Sequence, residues 1–277
     1  MDMTYKIKQN LIYLVLIILS ITCLIPFLLM MVNATRTGNE IVTSFTLIPG
    51  KALLDNWRIV SGYFNLFQGM LNSLMVAVPA TLFTSYFSAI TAYALVVYDF
   101  KGKKIINGVI VIFMMIPGQL SLLGFYDLVT KLNMIDSYLP LILPAIASSG
   151  TVFFLRQYCE ASIQPALLEA ARIDGAGEIR IFHKIMLPLM SPAIATMAIG
   201  AFIGNWNNYL LPLILLNTPK KFTLPVMMAS LNSSTDITAN QGAIYLAVAI
   251  SVLPILITFA FCSKYIIGSI SAGGVKE

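Results

Sequence analysis

The sequence predicts an all-α, polytopic membrane protein with six transmembrane helices in a single domain over residues 1–277. Of its 277 residues, 58% are hydrophobic and only 10% are charged, whereas soluble domains carry roughly 25% charged residues. The chain therefore has too little polar surface to be covered by water. Its apolar residues fall into six stretches, each long enough to supply the about 20 residues that a bilayer-crossing helix needs.

The predicted spans are joined by short polar connections, except for three longer segments, 33–69, 159–189 and 217–242. They are residues 11–32, 70–98, 105–126, 138–158, 190–216 and 243–262. Gly and Pro occur inside several of them, which helices in lipid tolerate. The first span is too long for a signal peptide and is followed by no small-residue cleavage site, so we interpret it as an anchor.

The distribution of basic residues predicts the orientation of the chain. Placing the N-terminus inside puts most of the 17 Lys and Arg residues on inner segments, as the positive-inside rule requires. Both termini, the loop 159–189 and the tail 264–277 are then cytoplasmic. The cluster Lys101-Gly102-Lys103-Lys104 is the clearest marker of the inner side, and a lipid-headgroup site is the alternative interpretation of it.

The energy for transport is predicted to come from another protein. No Asp, Glu, Lys or His lies within the apolar interior of a predicted span, whereas carriers coupled to protons or ions usually need such groups there. A carrier that holds sodium with carbonyls and hydroxyls stays possible at this point. The sequence has no G-x-x-x-x-G-K-[ST] phosphate loop, so ATP is not expected to bind this chain in that way.

Enzymatic chemistry is not expected. The single histidine, His183, cannot supply the second histidine ligand of a metalloprotease, no G-x-S-x-G elbow is present, and His183 is interpreted as a helix-surface residue. The three cysteines, Cys23, Cys159 and Cys262, have neither metal nor redox spacing and are interpreted as buried, inert thiols. We therefore predict no catalytic residue, no metal site and no cofactor in this chain.

The loop between the fourth and fifth spans is longer than a turn requires and predicts two short helices. Pro165 suits the first turn of a helix, and Gly175 stands where a helix C-terminus favours a left-handed residue. A second helix is expected over residues 178–186, and Leu187-Pro188 is expected to end it.

The first loop helix carries a small-residue surface. Ala170 and Ala171 are predicted to form a smooth face that a partner's backbone can approach closely, and Glu169 and Asp174 are placed to pair with basic groups or amides of that partner. The composition alone fits equally well an amphipathic loop that rests on lipid headgroups.

The residues of this loop resemble the EAA loop of permease subunits of binding-protein-dependent ABC importers. The similarity also includes Phe182, Ile185, Leu187-Pro188 and Pro192. In that family the loop is a coupling helix that docks into a cleft of the cytoplasmic ATPase. The ATPase-coupling residues that the resemblance implies are Glu169, Ala170, Ala171, Asp174, Gly175 and Ala176.

Most of the chain is similar to the sugar-permease branch of this family, in the position of the second, six-span subunit of the maltose-type importer. The matching residues are Pro49, Asn56-Trp57, Asn72-Ser73, Ala92-Tyr93-Ala94, Phe100-Lys101-Gly102-Lys103, Met115-Ile116-Pro117, and Trp206-Asn207-Asn208-Tyr209 followed by Pro212-Leu213. The C-terminus resembles the tail that enters the ATPase dimer interface, which implies an interface role for Ala272, Gly273, Gly274, Val275 and Lys276. A frayed terminus is the alternative.

A polar cluster in the fifth span is the predicted substrate path, and it consists of Asn205, Trp206, Asn207, Asn208 and Tyr209. Amides and an indole at bilayer depth are costly unless they meet partners, and a sugar offers hydroxyls for hydrogen bonds and C–H faces for stacking. Hydrogen bonding between helices is the alternative. Gln119 and Ser121 are weaker candidates. In the maltose-type importer most sugar contacts come from the partner permease.

The resemblance implies a non-catalytic translocation subunit in the bacterial inner membrane. Its expected partners are a second homologous permease, two ABC ATPase subunits that hold ATP and magnesium, an extracytoplasmic sugar-binding protein that meets the outer loops, the bilayer and a sugar, with no nucleic acid. An oligosaccharide is the preferred cargo, and amino acids or peptides are the alternative. A lone ion-coupled carrier and a membrane scaffold without a pore are the other classes.

Overall fold

The computed structural model describes the backbone of residues 3–232 and 240–273 and the side chains of residues 8–230 and 240–261. Within these ranges the chain forms helices and no β-strand, which confirms the predicted fold class. The α-helices are α1 (Met3–Asn33), α2 (Gly38–Thr43), α3 (Leu53–Tyr63), α4 (Leu66–Val97), α5 (Lys103–Met115), α6 (Leu122–Lys131), α7 (Leu139–Ile142), α8 (Ser149–Ser162), α9 (Pro165–Ile173), α10 (Glu178–Ile181), α11 (Leu187–Trp206), α12 (Leu210–Leu215), α13 (Leu224–Asn232) and α14 (Gln241–Gly273). Short 3₁₀-helices occupy Gly118–Ser121, Leu143–Ala147 and Pro219–Lys221, and Phe182–Met186 is a π-helical turn.

The described residues contain up to six membrane-spanning segments. Five segments are long and apolar enough to cross a bilayer, namely Lys8–Asn33, Leu66–Val97, Leu139–Ser162, Glu178–Trp206 and Gln241–Phe261. The sixth is the pair Lys103–Met115 and Gly118–Lys131, which is bent by 93°. The bend follows from Pro117, because the residue before a proline avoids the helical region and Ile116 is extended with φ −78° and ψ 119°.

The chain divides into two compact units, one formed by Met1–Phe67 with Met227–Leu253 and the other by Gln68–Val226 with Pro254–Glu277. The single permease domain over residues 1–277 therefore stays a prediction. In the first unit, no described side chain of α1 is buried, so its apolar surface is free to face lipid. Cys23 lies on this surface and is exposed, which corrects the expectation of a buried thiol, whereas Cys159 in the second unit is buried. The side chain of Cys262 lies outside the described residues.

A buried arginine organises the first unit. Arg36 is only 4% exposed and donates hydrogen bonds to the carbonyl oxygens of Glu40 (2.6 Å) and Ser44 (2.9 Å). Asn56, from the Asn56-Trp57 pair of the sequence, is also buried and donates to the carbonyl oxygens of Ala34 and Arg36, both at 2.9 Å. Because a buried charge or amide is costly without partners, these bonds fix the chain that follows α1 against α3.

In the second unit, the Asn72-Ser73 pair of α4 binds the backbone of the segment before α13. Asn72 is 1% exposed and donates to the carbonyl oxygens of Lys220 (2.8 Å) and Phe222 (2.9 Å). The hydroxyl of Ser73 accepts a hydrogen bond from the amide of Leu224 at 2.9 Å. These two polar residues satisfy backbone groups that would otherwise be unpaired at the start of α13.

A group of polar contacts around Asp136 joins the turn before α7 to the segment after α12. Asp136 adopts the left-handed conformation (φ 60°), and its carboxylate accepts hydrogen bonds from the amides of Asn217 and Thr218, both at 3.0 Å, and from the Lys221 ammonium at 2.9 Å. The Lys221 ammonium, followed by the Thr218 and Asn217 donors, holds the pKa of Asp136 well below its usual range. The carboxylate is therefore ionised across the physiological pH range, which maintains these hydrogen bonds.

The first unit generates a test through Gly242, which lies at the start of α14. A Cβ atom at this position would overlap the carbonyl oxygen of Arg36 and lie 2.6 Å from Nδ2 of Asn56. We expect Gly242→Ala to lower the free energy of unfolding by about 1–3 kcal/mol, because the Asn56 amide must move from its two carbonyl partners. The midpoint of thermal unfolding in detergent measures this loss.

Gly62→Ala is the matched control, because a Cβ at Gly62 meets nothing within 4 Å and alanine favours the helical conformation by up to about 1 kcal/mol over glycine. Equal midpoints for the two alanine variants would contradict the packing assigned to Gly242.

Candidate functional site

The loop helix α9 presents one side to its own chain and the other to solvent. Leu168 and Ala171 are buried in a core that includes residues of α4, α8 and α11, whereas Glu169 and Ala170 are exposed. Successive residues of an α-helix are about 100° apart, so two neighbouring alanines do not share one face. The predicted smooth face is therefore corrected, since Ala171 is only 8% exposed and faces inward, and Ala170 is the alanine of the pair that a partner can reach.

The end of α9 is a complete Schellman cap. Gly175 has φ +77°, as the sequence predicted. Its amide donates to the carbonyl of Arg172 at 3.0 Å, and the amide of Ala176 donates to the carbonyl of Ala171 at 3.0 Å. This pair of bonds defines the motif, and the packing of Ala176 against the core that contains Ala171 completes it. Asp174 is the exposed C-cap residue, so its side chain stays on the outer surface of the turn.

A carboxylate next to this cap joins the loop to α4. Glu178 accepts hydrogen bonds from the hydroxyl of Tyr93 at 2.9 Å and from the hydroxyl of Tyr98. It also accepts a hydrogen bond from Nε of Arg172 at 2.8 Å. Tyr93 belongs to α4 and Tyr98 follows its last residue, while Arg172 lies in the last turn of α9. One carboxylate therefore connects α4, α9 and the start of the long Glu178–Trp206 segment, and we call these residues the Glu178 cluster.

Electrostatics in the Glu178 cluster favour the ion pair. The hydrogen bond to Glu178 raises the pKa of Arg172 above its ordinary value. Burial, followed by the hydrogen bond to Glu178, raises the pKa of the Tyr98 hydroxyl, which therefore remains a proton donor. The carboxylate accepts two hydrogen bonds from hydroxyls and one from a guanidinium, so the protein stabilises its charge on several sides.

The helix that follows Glu178 does not stop where the sequence predicted. Leu187-Pro188 was expected to end it, but a continuous helical segment runs from Glu178 to Trp206. The π-helical turn at Phe182–Met186 precedes Pro188, and the amide of Leu187 donates five residues back to Phe182. Such a widened turn accommodates a proline, whose missing amide and bulky ring disrupt a regular α-helix.

Of the remaining residues of the EAA-like pattern, Phe182, Ile185 and Leu187 pack in the core that holds Ala171. Phe182 is 2% exposed and its ring lies 5.5 Å from the ring of Tyr93, so it supports the Glu178 cluster from the apolar side. His183 is exposed on the helix surface, as predicted. Its Nδ1 donates to the carbonyl oxygen of Ile179 at 2.8 Å, and its Nε2 lies within hydrogen-bonding distance, 3.1 Å, of the Tyr86 hydroxyl. No group of metal-ligating side chains occurs among the described residues.

The predicted substrate-path cluster lies at a helix break rather than inside a continuous span. Trp206 ends α11 and Leu210 begins α12. The break has a local cause, because Pro212 cannot donate to Asn208 and its ring would collide with that carbonyl in a continuous helix. Trp206 is 2% exposed and stacks on Phe202 at 5.9 Å, so its ring is buried in the chain.

Two asparagines of the cluster line open cavities. Asn205 and Asn208 face a cavity of about 540 Å³, together with the hydroxyl residues Thr84, Ser148, Thr151 and Thr196. Asn208 also faces a second cavity of about 670 Å³, which Gln119 and Ser121 line at the break after α5. The structure therefore brings Gln119 and Asn208 to one cavity, whereas Trp206, Asn207 and Tyr209 line neither of the two.

The predicted ATPase-interface tail lies mostly beyond the part of the chain that the structure describes. The backbone of Ala272 and Gly273 belongs to α14. Gly274, Val275 and Lys276 lie outside the described residues, so the role of the tail stays a prediction.

Comparison with known proteins bears on this arrangement. Residues 82–270 match the family described as "Binding-protein-dependent transport system inner membrane component". The chain belongs to this family. This binding-protein-dependent permease is 36% identical over 276 residues to the arabinooligosaccharides transport system permease protein AraQ of Bacillus subtilis, with 98% of this chain and 96% of the relative covered. It is 30% identical to the diacetylchitobiose uptake system permease protein NgcG of Streptomyces coelicolor, with 93% and 86% covered.

A solved structure supports the fold of the permease. The match is a chain from the crystal structure of a bacterial ABC transporter involved in the import of the acidic polysaccharide alginate. The TM-score is 0.81 at 20% sequence identity, with 96% of this chain and 98% of that chain covered. The predicted type-I ABC importer permease fold is thereby confirmed.

The sequence did not predict the Glu178 cluster. The sequence predicts only that a helix starts at residue 178. The sequence does contain a signal for such a cluster. Tyr93 and Tyr98 carry hydroxyl groups near the end of an apolar helix, and a tyrosine with a buried ring needs a polar partner for its hydroxyl. Their distance in sequence from Glu178, 85 and 80 residues, hid the contact.

The Glu178 cluster generates a double-mutant test. Tyr93→Phe should lower the free energy of unfolding by about 0.5–1 kcal/mol, because the carboxylate loses a hydroxyl donor. In a Glu178→Ala background the same change should cost much less, since the partner is already gone. Unfolding of the permease in mixed micelles by titration with SDS gives the four energies.

Tyr126→Phe is the control, because Tyr126 is 43% exposed and its hydroxyl makes no hydrogen bond among the described residues. A cost for Tyr93→Phe that is the same with and without Glu178 would show that the cluster contributes no interaction energy.

Proposed function

We propose that this permease is one of two homologous membrane subunits of an ATP-driven importer that moves an oligosaccharide into the cytoplasm. The relatives that match nearly the whole chain are named for the transport of arabinooligosaccharides and the uptake of diacetylchitobiose. The observation that carries the proposal is the geometry of α9, which has an exposed side for a partner and a hydrogen-bonded connection to α4 on its other side.

The exposed side of α9 is the proposed contact with an ATPase subunit. Glu169, Ala170 and Asp174 are all exposed. Ala170 lets the backbone of a partner approach closely, and two carboxylates beside it favour basic groups or free amides at a helix N-terminus of the partner. ATP and magnesium would be held entirely by the ATPase subunits, and this chain supplies no residue to hydrolysis.

The Glu178 cluster is the proposed connection between the loop and the spans. When the ATPase subunits close on ATP, they move α9 as a rigid body because its C-terminus is capped by Gly175 and Ala176. The hydrogen bonds of Glu178 pass this displacement to α4 through Tyr93 and to α11 through the continuous helix that starts at Glu178. The spans then switch between inward-facing and outward-facing states.

Sidedness follows from the same proposal. The loop that holds α9 faces the cytoplasm, as do both termini, and the tail from Ala272 to Lys276 enters the interface between the ATPase subunits. The segments that contain Arg36, Asn56 and Asp136 lie on the opposite side, where a binding protein delivers the sugar. The basic turn Lys101–Lys104 lies on the cytoplasmic side, in agreement with the positive-inside rule.

The cavities at the two helix breaks are the proposed part of the path that this chain contributes. Broken helices at membrane depth are tolerated where they line a polar cavity. Gln119 and Asn208 present amides there, and these bond sugar hydroxyls both as donors and as acceptors. The cavities, at about 540 and 670 Å³, fall in the size range of about 300–1,000 Å³ that small-molecule sites occupy.

Reconstituted transport tests the proposal. Proteoliposomes that contain this chain with its partner permease, ATPase and binding protein should accumulate a radiolabelled oligosaccharide only with ATP inside. Glu169→Lys should lower the uptake rate at least tenfold, because a cation replaces the anion at the ATPase contact. Asp127→Lys makes a similar change in charge at an exposed residue of α6 outside the loop and should retain uptake.

The possible outcomes separate the alternatives. Uptake driven by a sodium or proton gradient without ATP would overturn the ATP-driven mechanism. Uptake of amino acids or peptides in place of sugar would contradict only the proposed oligosaccharide cargo. Full uptake in Glu169→Lys would overturn the role of α9.

A further inference from the structure

A cavity with cationic walls lies at the start of α5, away from both helix breaks. It has a volume of about 560 Å³, and its charged lining consists of Lys103, Lys104, Arg156 and one acid, Asp99. Arg156 comes from α8, which packs against α5, so two membrane-spanning segments contribute positive charge to one space. Neither the proposed ATPase contact nor the proposed sugar path uses these residues.

The three cationic side chains differ in how many of their hydrogen-bond donors have partners. Lys103 donates to the carbonyl oxygen of Tyr98 at 2.9 Å, and Arg156 pairs with Glu160 through one terminal nitrogen while its buried Nε has no hydrogen-bond partner. Among the described residues, the ammonium of Lys104 makes no hydrogen bond or ion pair. No side chain caps the first turn of α5, which begins after Gly102. The cavity therefore holds more positive charge and more free donors than its own acids satisfy.

The apolar part of the lining indicates what kind of anion fits. Phe100 and Ile105 line the same cavity and are 40% and 72% exposed. Phe100 lies in the turn that joins α4 to α5, and Ile105 lies in the first turn of α5. Both helices belong to membrane-spanning segments, so the turn lies at the level of the lipid headgroups. A phosphate beside exposed apolar side chains is the chemistry of a phospholipid, whose headgroup meets the lysines while its glycerol and upper acyl chains meet Phe100 and Ile105.

We infer that this cavity binds the phosphate headgroup of an anionic phospholipid. The site depends neither on the cargo nor on the ATPase, so it stands apart from the proposed function. The site is also connected to the Glu178 cluster. Lys103 donates to the backbone carbonyl of Tyr98, and the Tyr98 hydroxyl donates to Glu178. An anion that draws Lys103 toward the cavity therefore acts on the same residue that supports the Glu178 cluster.

Native mass spectrometry of the full-length chain in detergent tests the inference, with dioleoylphosphatidylglycerol compared against dioleoylphosphatidylcholine. The two lipids share acyl chains, and only the first is anionic. We expect at least tenfold preference for phosphatidylglycerol. Each lysine near a lipid surface contributes about a fivefold factor in affinity, so Lys104→Gln should weaken phosphatidylglycerol binding about fivefold and Lys103→Gln/Lys104→Gln about 25-fold.

Two variants control for charge and folding. Lys104→Arg keeps the cation and should retain the preference, and Lys220→Gln removes an exposed lysine of a different segment and should also retain it. The thermal midpoint of each variant in phosphatidylcholine shows that the fold is intact. An unchanged preference in a folded double variant, or no preference in the wild type, would overturn the inference. Complete displacement of phosphatidylglycerol by millimolar inorganic phosphate would identify a site for free anions and would contradict the assignment of a phospholipid.

Discussion

The arrangement of the loop depends on one carboxylate with three donors. Glu178 accepts from Tyr93, Tyr98 and Arg172, and these residues come from α4, the residue after it and α9. Tyr93 is 3% exposed, so its hydroxyl needs an acceptor within the protein, and the partly exposed Glu178 carboxylate supplies it. This requirement fixes the position of α9 relative to α4 more specifically than apolar packing, which tolerates sliding between smooth surfaces.

The orientation of α9 decides which residues a partner meets. Leu168 and Ala171 anchor the helix in the core, so Glu169 and Ala170 necessarily face away from it. The EAA-like pattern therefore combines two roles in adjacent residues. Its second alanine is small and packs inside, and its first, under the proposed function, is small so that an ATPase subunit can approach. The Schellman cap at Gly175 turns the chain sharply, and Glu178 follows within hydrogen-bonding distance of Arg172.

The sequence was sufficient for features that depend on local chemistry. Six apolar stretches predicted six spans, and the position of Gly175 predicted its left-handed conformation. It was insufficient where distant segments meet or where two local rules compete. The inward face of Ala171 depends on which side of α9 finds a core, and the continuity of the helix past Pro188 depends on the π-helical turn before it. Pro212 is a sequence signal for the helix break at residues 207–209. The apolar stretch is nevertheless long enough to predict one continuous helix.

The most direct measurement is the number of sugar molecules imported per ATP hydrolysed, in proteoliposomes that carry the Tyr93→Phe/Tyr98→Phe variant. This variant removes both α4-side donors to Glu178 and leaves the exposed surface of α9 unchanged, so we expect the proposed docking of the ATPase to be retained. If Glu178 transmits motion to α4, ATP hydrolysis continues while the ratio of sugar to ATP falls severalfold below that of the wild type. A ratio equal to that of the wild type would contradict the account.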